Sequence, residues 1–285
     1  MKPDPKYLNL PKSFWAYVRC ISEKCQYTKR SSQTVSSPGL DEILAAVHVL
    51  KLDVSEVLRP GGDLTPLGQQ LLDYFKFRAD VLNTKARHHL MDAKKAKALY
   101  EFVRAEHKQV KIKAPWNKQK GKKKAPAYLS AIVAILVRAN AADFPCDLDP
   151  RALTTITRQG KALRTLARRL DGAFPSTANP IAVWEIKEYY YTTTFGSRVA
   201  NGVYESLLDG MELEELREHE GVKVKHYLII DAHYTWWSCG KSYLCRIIDM
   251  LHMGYVDEVI FGDEVVERLP DLVKEWVAAA RDSAP

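Results

Sequence analysis

No apolar run in the sequence approaches the length of a bilayer span, so nothing in it predicts a transmembrane helix. The first residues, MKPDPKYLNLPKSF, lack the apolar core of a secretory signal, and their prolines and charges predict a soluble, cytoplasmic protein without a membrane partner. Cys-x-x-Cys spacing is missing as well. The five cysteines (Cys20, Cys25, Cys146, Cys239, Cys245) are odd in number and scattered, which argues against a disulfide framework or a zinc site and for free thiols in a reducing compartment. There is no internal repeat and no long low-complexity linker.

Acid is absent from two stretches of an otherwise mixed chain. His107 to Lys124 holds eight lysines, and Arg151 to Arg169 holds five arginines and one lysine, neither with a carboxylate. With a formal net charge of +7, this concentrated basic centre predicts a polyanionic partner. Within the first stretch, Asn117, Lys118, Gln119, Lys120 and Lys122, next to Trp116, are candidate nucleic-acid contacts. Lysine supplies attraction to phosphate, and Asn and Gln can pair bidentately with adenine.

The first hundred residues read as helices, with apolar residues at helical spacing in PKSFWAYVRCISEKC, LDEILAAVHVLKL, PLGQQLLDYFKFRADVLN and MDAKKAKALYEFVRAEH. Thr65-Pro66 has the form of a helix start, a hydroxyl cap followed by proline. After the lysine-rich stretch, APAYLSAIVAILVRANA predicts a core helix. From residue 166 the period changes: LARRLDGAFP, IAVWEIK, KHYLIIDAH and VDEVIFG read as strands. Between and after them lie helices, two of them closed by Gly221 and Gly254. The expected fold is α/β, a mixed central sheet flanked by helices behind a mainly helical N-terminal part. The expected division is 1–125, helical with a basic loop, and 126–285, the sheet-bearing core.

Side chains alternate along a strand, so Glu185 and Lys187 share the face of Ile181 and Val183, opposite Ala182, Trp184 and Ile186. Two charges at the end of a core strand must meet each other, meet other charges, or open onto a site. Upstream, RRLDGAFPSTANP places Asp171 before a turn, and a hairpin would bring it beside Glu185. Paired carboxylates repel unless a proton or cation joins them, and Mg²⁺ prefers such oxygen ligands. Beyond the strand, EYYYTTTFGSRVAN offers Thr194, Ser197, Arg198 and Asn201 as phosphate contacts at a helix N-terminus, with Glu205 a further acid one turn on. Asp231 and His233 at a strand end, and Lys241 at a helix start, are weaker candidates. The Asp143, Asp147 and Asp149 group reads as turn chemistry.

Asp171, a spacer, then Glu185-Ile186-Lys187 after an apolar strand resembles the PD-(D/E)XK nuclease superfamily, with Leu170 where the name-giving proline would stand. The stretch from about Cys146 to Trp276, with NKQKGKKKAPAYL, is also similar to a bacterial restriction-endonuclease-like family. The resemblance implies a restriction-endonuclease-like fold and a Mg²⁺-dependent endonuclease, with Mn²⁺ as a substitute. It further implies cleavage of DNA to 5′-phosphate and 3′-hydroxyl ends in restriction or phage defence. Asp171, Glu185 and the Ile186 carbonyl would hold the metal, and Lys187 would position the attacking water. Expected partners are double-stranded DNA, a second copy of the chain, and a methyltransferase of the same system. The competing readings are a DNA-binding module that keeps the fold without catalysis, and a repair or RNA nuclease.

Overall fold

Ala182, Val183 and Trp184 are three consecutive apolar residues, and with Glu185 all four are buried, so this strand is covered on both faces and the rest of the chain supplies the covers. The computed structural model describes residues 1–26, 28, 32–112, 115–116, 124–191 and 196–282. Its elements begin with helices α1 (Lys12–Lys24), α2 (Leu40–Val49) and α3 (Pro66–Val81), the last running through a π-helical turn (Leu82–Ala86) into the short α4 (Arg87–His89). Helices α5 (Ala93–Glu106) and α6 (Tyr128–Asn140) follow, then strands β1 (Thr155–Arg158), β2 (Lys161–Thr165), β3 (Gly172–Phe174) and β4 (Ala182–Glu188). The chain ends with α7 (Ser197–Glu220), β5 (Lys225–Asp231), α8 (Lys241–His252), β6 (Glu258–Phe261) and α9 (Glu264–Asp282).

The central sheet has the order β3-β4-β5-β6, with β3 antiparallel and the others parallel. One face, carrying Trp184, Tyr227, Ile229 and Ile260, packs with α5, α6 and α9. The opposite face, carrying Leu228, Ile230, Val259 and Phe261, packs with α8 and the start of α7. The chain is therefore mixed α/β with a helical N-terminal part. Helices α1 to α3 form their own core around Trp15, Tyr74 and Phe75. They join α8 through the buried Asp249, which accepts hydrogen bonds from Arg78 (2.9 Å to each oxygen) and Tyr74 (2.6 Å).

Several local signals act as the sequence suggests. Thr65 Oγ1 accepts from the Gly68 N–H at 3.0 Å with Pro66 in the first turn, and Gly221 ends α7 in the left-handed conformation at φ 66°. The strand expected across 166–175 is a correction. Only Gly172–Phe174 joins the central sheet, while part of the basic stretch before it forms the β1–β2 hairpin. Its turn, Gln159-Gly160, has positive φ at both residues, the geometry that matches strand twist in a two-residue hairpin.

Candidate active site

Because β3 starts at Gly172, opposite Trp184, and runs antiparallel to β4, the residue just before it lies against the later half of β4. Asp171 thus stands beside Ile186, whose N–H donates to Asp171 Oδ2 at 2.8 Å. The N–H and C=O of one extended residue leave a strand on the same side, so the Ile186 carbonyl opens to this same edge. Tight approach of the two strands needs Gly172: a Cβ there would fall 1.9 Å from the Trp184 ring.

Glu185 and Lys187 project from the other face of β4, under α7, and both are buried. Lys187 Nζ lies 2.5 Å from Glu185 Oε2 and 2.9 Å from Glu205 Oε2. Gly202 on α7 leaves the room for this lysine, since a Cβ there would meet the Tyr189 hydroxyl at 2.6 Å and Lys187 Cδ at 3.3 Å. Arg168 closes the cluster, with Nη1 2.6 Å from Asp209 Oδ2 and 2.9 Å from Glu185 Oε1, and Nη2 3.5 Å from Glu205 Oε2.

Electrostatics follow from these distances. Burial disfavours a charged Glu185, yet Lys187 and Arg168 outweigh it and hold the carboxyl below its ordinary range. Burial likewise works against the Lys187 charge, but Glu185 and Asp171 keep the ammonium protonated well past its ordinary range. Asp171 is pushed up to about 6 by burial and by the Glu185 charge. Asp209 is pushed up to about 7, burial and Glu185 outweighing its contact with Arg168. Four carboxylates (Asp171, Glu185, Glu205, Asp209) face two cations (Arg168, Lys187), so the fully ionised cluster carries a formal charge of −2. Glu185 Oε1 and Asp209 Oδ1 are buried without a hydrogen bond among the described residues.

This surplus of negative charge suits a hard divalent cation, and of the two oxygens Glu185 Oε1 already has the Arg168 guanidinium 2.9 Å away. No group of three or more His, Cys, Asp and Glu side chains at metal-binding spacing occurs among the described residues. Mg²⁺ does not require one, since it is commonly held by one or two carboxylates and keeps several waters. Asp171 and Glu185, with the Ile186 carbonyl, are the residues that would hold it.

The cluster borders a cleft of about 860 Å³. Asp171 and Arg168 line it, together with Arg169, Arg198, Glu188 and Trp116, while Glu185 and Lys187 lie behind them. Of the expected phosphate contacts, Ser197 opens α7, Arg198 lies on the cleft wall, and both are exposed, as is Asn201. Asn117, Lys118, Gln119, Lys120, Lys122 and Thr194 lie outside the described residues. Asp231 is a hydrogen-bonded strand end: its carboxylate accepts from the Met91 and Ala232 N–H groups at 2.7 Å and from the Tyr190 hydroxyl. His233 is tied by its own N–H to the Met91 carbonyl and starts the turn after β5. Lys241, the candidate at a helix start, is buried and donates to the Trp237 carbonyl at 3.1 Å. Trp236 and Trp237 are likewise core residues.

Sequence reasoning missed Arg168 and Asp209. Arg168 was one cation in a basic run, and its role depends on the sharp bend before β3. Asp209 did carry a signal: it lies four residues after Glu205, hence on the same helical face, in the apolar setting SLLDGMEL.

No curated protein and no solved structure matches the chain. Residues 1–85 match the family model described as Domain of unknown function (DUF7690). Residues 91–276, which contain the whole central sheet and every member of the charged cluster, match the one described as Domain of unknown function (DUF7687), and the chain belongs to that family.

Proposed function

We infer that the chain is a Mg²⁺-dependent nuclease that hydrolyses DNA phosphodiester bonds. One observation carries the reading: the β3–β4 hairpin puts Asp171 beside Glu185 and Lys187 at the edge of an arginine-lined cleft. Arg169 and Arg198 attract and orient the phosphate backbone at the cleft wall. Lys187, protonated and fixed by Glu185 and Glu205, is a donor and a positive charge placed for the negative charge that develops at phosphorus, not a base. Arg168 holds Glu185 in place from the side opposite the lysine. Bound Mg²⁺ would supply Lewis-acid stabilisation and lower the pKa of water.

The test is cleavage of plasmid, linear DNA and RNA in Mg²⁺ and in EDTA by wild type, Glu185→Gln and Lys187→Met. Both substitutions keep side-chain volume, and circular dichroism checks that each variant is folded. Loss of about 10²–10³-fold in rate is expected for each folded variant. Undiminished cleavage by both would sink the reading.

A second reading has its own observation in favour. Arg168 bridges Glu185 and Asp209, so the cluster can serve as a structural ion-pair lock in a DNA-binding module without catalysis. That module would bind DNA with strong salt dependence and give no Mg²⁺-dependent product.

A further inference from the structure

The cleft has features that the hydrolytic cluster does not use. Trp116 lines it and is 57% exposed, unusual for so large an apolar ring, and Tyr191 on the same cleft is 44% exposed. Neither ring hangs on a loose support. The backbone at Trp116 bridges to Pro126, and Ala127 N–H donates to the Pro115 carbonyl at 2.8 Å, just before α6 begins. The Lys124 ammonium stands 5.3 Å from the centre of the Trp116 ring. Tyr191 meets Tyr190 edge to face, and Tyr190 is in turn hydrogen-bonded to the buried Asp231. Arg169 lines the same cleft, exposed and without an ion pair among the described residues.

Exposed aromatic faces beside cations are the chemistry of base stacking along a phosphate backbone. Stacking requires bases whose π faces are open, which a duplex withholds and an unpaired strand offers. Recess of the acids points the same way: Asp171 is half-buried on the cleft wall, and Glu185 and Lys187 are buried behind it. A flexible single strand can enter such a recess, whereas a duplex presents its phosphates on a stiff convex surface.

We propose that the cleft binds an unpaired nucleic-acid strand, stacking its bases on Trp116 and Tyr191 while Arg169 contacts the backbone, so that a single strand or an opened end is the substrate instead of the duplex expected from sequence. This deepens the nuclease reading as to substrate class, but its test is independent of cleavage. Fluorescence anisotropy in EDTA would compare a labelled dT oligomer, a U oligomer of the same length and a blunt hairpin duplex, using wild type, Trp116→Ala, Tyr191→Ala and Arg169→Ala.

Wild type is expected to bind at least one of the single strands about tenfold or more tightly than the duplex. Each aromatic substitution should weaken single-strand binding by about 5- to 150-fold, the range of one lost stacked base, and leave duplex binding as it was. Arg169→Ala should weaken single-strand binding with a shallower salt dependence. Duplex affinity equal to or above both single strands, no measurable binding of either strand, or wild-type affinity in both aromatic variants would overturn the proposal. Single-strand binding without Mg²⁺-dependent cleavage would retain it and reject the nuclease reading. Cleavage of duplex by a protein indifferent to Trp116 and Tyr191 would do the reverse.

Discussion

Lys187 is a buried cation set among carboxylates: Glu185 at 2.5 Å, Glu205 at 2.9 Å, and Asp171 close enough to raise its proton affinity. Removing one member of a buried pair leaves the other charge desolvated. Lys187→Met should therefore cost about 3 kcal/mol in urea denaturation, and the double variant with Glu185→Gln should recover part of that loss. A pH effect follows from Asp209, raised to about 7 by burial and by Glu185. An acid whose folded pKa lies above its unfolded value stabilises the fold fully below the unfolded value, and that contribution is lost as pH rises through about 7. Thermal midpoints of the metal-free protein should accordingly fall between about pH 4 and about pH 7, and Asp209→Asn should flatten the slope. Equal slopes for wild type and Asp209→Asn would remove Asp209 as the cause. At this scale Asp171, Glu185 and Lys187 were legible because strand alternation fixes which side chains share a face. Asp209 was marked only by its helical spacing from Glu205, and its meeting with Arg168 was not legible, because that depends on how α7 is rotated over the sheet, which no local period encodes.

Helix α6 has no side-chain cap at its own N-terminus, and β4 supplies one instead. Glu188 Oε2 accepts from the Ser130 N–H at 2.7 Å and from the Ser130 hydroxyl at 3.3 Å, tying the first turn of the helix to the strand end beside the cleft. Burial pushes Glu188 up to about 7 in spite of these bonds. Glu188→Ala should cost about 1 kcal/mol of stability, seen as a lower urea midpoint at unchanged slope, while Glu188→Gln keeps an acceptor and should lose less. Among the elements, β4, β5 and the helices between and after them were readable from apolar runs closed by glycine. The β1–β2 hairpin was not: its strands are mostly exposed, their alternation is faint, and its Gln-Gly turn lacks the usual Asn or Asp before glycine. The hairpin from β3 to β4 was foreseen, but its register was not. Asp171 reaches Glu185 from the start of β3, not from the end of a longer strand.

At the scale of the whole molecule, the N-terminal helical core joins α8 at a buried junction. Arg78 and Tyr74 of α3 converge on Asp249 of α8, and Arg78 also reaches Ser22 of α1. Asp249→Ala would leave the Arg78 guanidinium buried without its carboxylate, at a cost of about 3–5 kcal/mol, and limited proteolysis should then release fragments from the first 85 residues before the sheet-bearing part is cut. Co-digestion of both parts at one rate would show that the junction does not hold them together. That a helical N-terminal part precedes a mixed sheet could be read from the change of hydrophobic period, whereas Asp249 and Arg78, 171 residues apart, carry no mark of their pairing in sequence. Hydrolysis of phosphodiesters by the charged cluster between β3, β4 and α7 is tested most directly by one measurement. Purified wild type and folded Glu185→Gln would be incubated with single-stranded and plasmid DNA in Mg²⁺ and in EDTA, and the products resolved by length. Cleavage by wild type in Mg²⁺ alone, lost in Glu185→Gln, is the predicted result; no Mg²⁺-dependent product from wild type, or equal product from both proteins, would contradict it.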